Sequence, residues 1–349
     1  MLIATSITFL VCLLILITAG WHGNLTLDNH PGIQRFHATP TPRIGGLGIM
    51  LGLWAASSQA PELLHALLHP MLLACLPTFL AGTLEDLTKK VSVRDRLLAT
   101  FASGLTGQWL TATSLTHLNL WGFDTLLAWT PFAWAFTSFA IGGMTNALNI
   151  IDGLNGLAAG VATLSWLTFS LIAWQLGDRP LTELCLLLSV APLGFLLFNF
   201  PWGKIFLGDG GAYSLGFMLA WTAVLLAERH PNISPWTGLL ICAYPVIEVL
   251  FSMRRRQKRK THIGHPDCLH LHSLVKVRLV RKHFPNHTLL YQNSATSPLL
   301  CLFALIPAPF TLLFYHSTPT LIATFLAYAL LYTLLYARLA SFHWRWPKW

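Results

Sequence analysis

The sequence predicts an all-α polytopic membrane protein, and three observations carry that prediction. Of 349 residues, 54% are hydrophobic and only 10% are charged, far from the balance of a water-soluble domain. Mean hydropathy is +0.58. The apolar residues also gather into windows long enough to cross a hydrocarbon core of about 30 Å with some thinning, and the polar residues concentrate between them.

The first window, 2–20, lacks the basic leading region and small-residue cleavage site of a secretory signal, so it is expected to remain as a spanning helix. Windows follow at 44–60, 70–84, 97–113, 126–143, 157–176, 182–200, 212–227, 234–252, 298–316 and 319–340, which makes eleven spans, with ten as the lower count. The weakest are 70–84 and 212–227, which are short and adjoin polar stretches that can extend them. No internal repeat or linker divides the chain, so one membrane domain over 1–349 is expected. Its 253–297 connection is long enough to hold structure of its own.

The formal charge of +9 is best used for orientation. Connections 21–43, 85–96, 144–156, 201–211 and 253–297, with the C-terminal tail, carry nearly all Lys and Arg, whereas the alternate connections hold only Arg179 and Arg229. This asymmetry predicts the N-terminus outside and the C-terminus in the cytoplasm. Trp344, Trp346 and Trp349 fit an interfacial anchor, and RRRQKRK at 254–260 is the strongest inside signal, with anionic headgroups or a pyrophosphate as a second use. Nucleic acid is not expected as a partner, because no basic stripe interleaves with aromatics on a soluble module. The six cysteines are scattered, with no CxxC spacing and no disulfide framework.

Five polar stretches interrupt the apolar pattern: QRFHATPTPRIGG (34–46), LEDLTKKVSVRDR (84–96), NALNIIDGLNG (146–156), GKIFLGDGG (203–211) and HIGHPDCLHLH (262–272). All fall on the inner side of a topology set only by hydropathy and basic residues, so one cytoplasmic site can gather them. Glu85, Asp86, Asp152 and Asp209 each sit at a helix boundary, where a carboxylate costs about 2–3 kcal/mol toward the bilayer centre and is usually kept for function; the alternative is that they cap helix ends. Hard oxygen ligands of this kind suit Mg²⁺, with Mn²⁺ as a substitute, and Mg²⁺ normally binds one or two carboxylates together with substrate phosphates. A phosphate-bearing substrate is therefore expected. Gly208, Gly210 and Gly211 flank Asp209 and permit close backbone approach to an anion.

In the last motif His265, Cys268, His270 and His272 lie within eight residues, without the second pair that a familiar zinc spacing requires. A His-x-His pair in a basic loop suits hydrogen bonding to phosphate or pyrophosphate oxygens. Pro40 and Pro42 hold the first motif extended, presenting Arg35, His37 and Arg43 at the membrane surface. Lys89, Lys90, Arg94 and Arg96 are orientation signals first and substrate contacts second.

Taken in order, HxTPTPRxGG, a paired-acid loop, NAxNxxDGxNGL, GDxG and HxH resemble the polyprenyl-phosphate N-acetylhexosamine-1-phosphate transferases, from the first cytoplasmic connection to His272. The resemblance implies ten or eleven helices, a cytoplasmic active site in a bacterial inner membrane, Mg²⁺ dependence, and transfer of a sugar 1-phosphate from a UDP-sugar to a polyprenyl phosphate with release of UMP. A place at the start of O-antigen or related envelope-glycan synthesis goes with it, and a homodimer is one open option for assembly. Asp209 is similar to the family's metal-ligating aspartate, with Asp152 as its helper. Asp86 resembles the second acid of the family's pair, assigned to lipid-phosphate activation, as base or nucleophile, or to metal-site support. Asn149 and Asp152 resemble nucleotide-sugar and catalytic positions, and His270 and His272 the pair near the pyrophosphate. Asn146, Asn155, His265, His37, Arg43, Lys204 and Gly208 complete the candidate substrate contacts. Departures from the pattern are Glu85 in place of a first aspartate, Asn155 in place of an acid, and Ser273 in place of a third histidine. The TPTPRIGG sequence and the reduced His motif resemble the polysaccharide-initiating branch more than the peptidoglycan branch, whose substrate is a muramoyl-pentapeptide. The rival from another class, a transporter or flippase of nucleotide sugars or lipid-linked intermediates, needs related halves and mid-span charges; the nearest such charge is Glu248, toward the inner end of its segment.

Overall fold

The computed structural model describes residues 1–27, 40–258 and 269–341. Among these the chain is helical almost throughout and has no strand; its β-type contact is an antiparallel bridge between Leu27 and Pro42. The helices are α1 (Leu2–Ile17), α2 (Ala19–Thr26), α3 (Gly45–Ser57), α4 (Glu62–Thr88), α5 (Val93–Thr111), α6 (Phe123–Leu127), α7 (Thr130–Ile151), α8 (Leu157–Gln175), α9 (Arg179–Asn199), α10 (Gly208–Arg229), α11 (Trp236–Ile241), α12 (Ala243–Lys258), α13 (Leu271–Leu274), α14 (Arg281–His283), α15 (Leu289–Leu305), α16 (Ala308–Phe314) and α17 (Thr318–Ser341). Between α13 and α14, Val275–Val280 widens into π turns.

Each of the eleven apolar windows contains helix, and among the described residues six segments are long and apolar enough to cross a membrane: α4, α8, α9, α10, the α15–α16 unit Leu289–Phe314, and α17. A seventh is obtained if α1 and α2, bent by 90° at Thr18, count as one span. Three of the windows fall on helices that are short, divided or bent. Helix α3 has 13 residues, about 20 Å at 1.5 Å per residue, short of a hydrocarbon core. The window 234–252 is divided between α11 and α12. Window 2–20 also fails as a straight helix: α1 ends at Ile17, and the His22 ring on α2 reaches back to the Ile15 carbonyl at 3.1 Å and to Thr26 Oγ1 at 2.7 Å. The two weakest windows lie inside longer helices. Helix α4 starts eight residues before its window, and α10 four before its own.

Buried along nearly all its length from Gly208 to Ala227, α10 forms the centre of the bundle, with α3, α4, α7 and α8 packed around it. Phe217 and Trp221 stack along it, and Trp166 of α8 donates to Thr222 Oγ1 at 3.3 Å. Helix α4 carries Pro70 and Pro77, and beside Pro77 its neighbour supplies a partner: Thr78 N–H donates to the buried Ser103 Oγ of α5 at 3.0 Å. The described part of the basic run, residues 254–258, continues α12, and Arg255 turns inward to donate to Tyr336 and Ser252, lying over the Tyr336 ring. Many apolar helices packed this way make a multi-pass membrane protein.

Candidate active site

The N-terminus of α10 is where the polar motifs meet. Its approach is zipped to the start of α3 by Phe206 N–H to the Pro42 carbonyl (2.8 Å), Gly45 N–H to the Phe206 carbonyl (2.9 Å) and Gly46 N–H to the Leu207 carbonyl (2.9 Å). Gly208 takes a φ of +76°, and a side chain there would collide with the Arg43 carbonyl oxygen and stand 2.5 Å from Asp86 Oδ2. Helix α10 has no side-chain cap of its own. Asp86, 3% exposed on the last turns of α4, supplies one across the interface: Oδ1 accepts the Asp209 N–H and Oδ2 the Gly210 N–H, each at 3.0 Å. Free N–H groups and the positive end of the helix dipole both favour a carboxylate there. Both Asp86 oxygens are thereby engaged, which is the capping alternative weighed for these acids.

Fixed in the first turn, the Asp209 carboxylate draws three other motifs together. Arg43 Nη2 lies 3.5 Å from Asp209 Oδ1 and 3.7 Å from Asp86 Oδ1, Asn149 Nδ2 donates to Asp209 Oδ1 at 3.3 Å, and Arg96 Nη1 pairs closely with Asp209 Oδ2. Asp152, at the C-terminal end of α7, accepts no hydrogen bond from the described residues. Burial pushes its carboxyl up to about 7; Arg43 opposes the rise, and the negative charges of Asp209 and Asp86 add to it. Asp152 is thus the acid of the group with oxygens open to a ligand.

The histidine motif joins through Gly153, where a Cβ would stand 2.5 Å from His272 Nε2. The buried His270 and His272 rings lie parallel, centroids 5.3 Å apart and 8° between planes. His270 Nδ1 is 3.0 Å from Glu248 Oε1.

Other predicted site residues are engaged elsewhere. Glu85 Oε2 accepts the Val91 N–H at 2.9 Å and closes the α4–α5 turn. Asn146 donates to the Gly142 carbonyl of its own helix at 2.7 Å. Asn155 is buried in a joint in which Ser297 donates to its carbonyl oxygen at 2.6 Å and Gly203 packs against its amide. Lys204 is exposed and, with Leu16, Ile17, Leu27 and Trp202, lines an open groove of about 680 Å³ beside α1 and α2. His37 and His265 lie outside the described residues. Sequence reasoning missed Arg96 as a partner of Asp209 and Glu248 as a partner of His270. Contacts across 113 and 22 residues leave no local pattern; the only signal was a basic residue in a motif already singled out, and an acid in an apolar segment.

Among the described residues no three His, Cys, Asp or Glu side chains cluster closely enough to hold a metal by themselves. Mg²⁺ asks less of a protein, one or two carboxylates plus substrate phosphates. Asp209 and Asp152 are donors of that type: Asp152 accepts no hydrogen bond among the described residues, while the Asp209 oxygens are held by Arg43, Asn149 and Arg96, so a cation would share Asp209 with those side chains.

Fold and site together define a polytopic membrane protein in which carboxylate, arginine, asparagine and histidine side chains gather at one end of the central helix. A family model described as glycosyl transferase family 4 matches residues 68–227. Over 251 residues the chain is 30% identical to the probable undecaprenyl-phosphate N-acetylglucosaminyl 1-phosphate transferase of Bacillus subtilis (strain 168), covering 70% of this chain and 68% of that one. It is 28% identical over 257 residues to the undecaprenyl-phosphate alpha-N-acetylglucosaminyl 1-phosphate transferase of Escherichia coli (strain K12), covering 71% and 69%. It is also 28% identical over 265 residues to the enzyme of that name from Yersinia pestis, with the same coverages. The chain belongs to glycosyl transferase family 4.

Proposed function

We propose that this protein transfers an N-acetylhexosamine 1-phosphate from a UDP-sugar to undecaprenyl or another polyprenyl phosphate, releasing UMP, at the cytoplasmic face of a bacterial inner membrane. One observation carries it: Asp209, at the head of the central helix, is met by Arg43, Arg96 and Asn149 from three separate motifs. The relatives' names supply the reaction class, and the Lys/Arg asymmetry supports the orientation, N-terminus outside and C-terminus inside.

The chemistry is attack by a lipid phosphate oxygen on the sugar-linked phosphorus. A phosphate monoester is largely dianionic at neutral pH and already nucleophilic, so the main barrier is the approach of two anions. Arg43 and Arg96 place two guanidinium groups where the diphosphate would sit, and His270 and His272 hydrogen-bond its oxygens as charge develops. Asn149 orients the nucleotide-sugar. Asp86 holds the α10 turn that carries Asp209. A divalent cation, Mg²⁺ by ligand type, would be held by Asp209 and Asp152 and would supply charge neutralisation between the phosphates.

The test is UMP release by the detergent-solubilised protein from a panel of UDP-sugars, with and without polyprenyl phosphate and Mg²⁺. Release is expected only when all three are present, with UDP-GlcNAc the first sugar to try. The connection 253–297 is the region we assign to sugar choice. A cooperatively melting protein that releases no UMP from any of them would refute the proposal.

A further inference from the structure

We propose that Glu248 is a positioning residue for His270, setting the ring through which the histidine pair meets its anionic ligand; this rests on the function proposed above. Glu248 on α12 is fully buried, a costly place for a carboxylate without partners. Its donors come from two other parts of the chain. His270 Nδ1 lies 3.0 Å from Oε1, the Leu271 N–H reaches Oε2 at 3.2 Å, and the Tyr332 hydroxyl of α17 donates to Oε2 at 2.9 Å.

A carboxylate facing Nδ1 dictates which nitrogen carries the proton. Nδ1 must donate, Nε2 is left as the atom that can serve a ligand, and the charge-assisted bond holds the ring in that orientation. The Leu271 N–H and the Tyr332 hydroxyl hold the carboxylate itself, so the His270 ring plane is fixed from behind. His272 stands parallel to that ring, and its Nε2 reaches the Gly153 turn directly after Asp152. The chain Tyr332, Glu248, His270 therefore runs from α17 to the pair that borders the catalytic loop. A purely structural tie at this place needs hydrogen-bond acceptors but no charge, so the experiment turns on the charge.

The experiment measures kcat and KM for the UDP-sugar by UMP release, together with melting temperature, in a double-mutant cycle. Glu248→Gln keeps the shape and removes the charge; kcat should fall about 10- to 100-fold, with KM for the UDP-sugar within about threefold. In a His270→Gln background the same change should lower kcat by less than about twofold, because residues acting as a unit are not additive. Tyr332→Phe, a milder variant that leaves the Glu248–His270 pair in place, should lower kcat by about threefold and likewise lose its effect beside His270→Gln. Additive losses, or a lower melting temperature with kcat per folded molecule unchanged, would overturn the inference. If the wild-type protein releases UMP but His270→Gln turns over at the full rate, this inference falls and the function stands; if the folded wild-type protein releases none, the function falls first.

Discussion

The carboxylate of Asp86 grips the first turn of the helix that carries Asp209, accepting the Asp209 N–H on one oxygen and the Gly210 N–H on the other, both at 3.0 Å. Two acids 123 residues apart are thus a single mechanical unit, in which one fixes the backbone from which the other projects. Asp86→Asn turns one acceptor into a donor facing a backbone N–H, leaving that buried group unsatisfied at about 1–3 kcal/mol. The expected outcome is a lower melting temperature together with loss of turnover at every pH from 6 to 9. Thermal unfolding beside UMP release checks it; a stable Asn variant with intact turnover contradicts it.

The helical segments and the five-motif site were legible in the sequence, because hydropathy records the bilayer and polar residues between apolar windows are costly enough to stand out. Helix limits were less so. The start of α4 was hidden by His65, His69 and Pro70, which lower local hydropathy without interrupting the helix, and Gly208–Asp209–Gly210 resembles a turn because its cap comes from another helix. Division of labour within the motifs was also invisible: Glu85 and Asp86 are adjacent in sequence, yet one closes a loop through Val91 and the other caps α10. Which side of a helix each occupies depends on neighbours far along the chain.

Arg96 and Arg94 offer a matched comparison within one turn of α5. Arg96 pairs with Asp209, whereas Arg94 is exposed. Charge-assisted hydrogen bonds contribute about 1.5–3 kcal/mol, so Arg96→Ala should reduce kcat/KM for the UDP-sugar by about 10- to 150-fold. Arg94→Ala should change it by less than about twofold. Equal effects would show that both are only orientation signals.

Asp152 has open oxygens where Asp86 has none. Adding Mg²⁺ to the wild-type protein should raise its melting temperature, since a ligand that binds only the folded state stabilises it by mass action. Asp152→Asn should abolish most of that rise and lower kcat at least about 100-fold. An undiminished Mg²⁺ shift in the variant would remove Asp152 from the cation site.

About 30 Å along α10 from Asp209, a second charged cluster locks the bundle. Asp178, at the start of α9, accepts Arg229 Nε and Nη2 at 2.7 and 2.8 Å, lies 2.8 Å from His230 Nε2, and caps its own helix through Leu181 N–H at 3.1 Å. Burial alone would raise its carboxyl, but the bonds from Arg229, Leu181 and His230 outweigh it and hold the carboxyl below the usual range. A carboxyl with a depressed folded-state value contributes stability that is complete above its unfolded value, about 3.9, and is lost as pH falls through the lower folded value. Asp178→Asn should therefore cost about 2 kcal/mol at pH 7, less than a fully buried pair because Arg229 is about one third exposed. The gap in melting temperature between variant and wild type should be full above about pH 5 and should close only as pH falls below about 4, through the lower folded value. Because the cluster lies a full helix away from Asp209, kcat per folded molecule should not change; a variant that loses turnover in step with the Asp209 site would mean that the two ends of α10 are coupled and that the lock serves catalysis as well as stability.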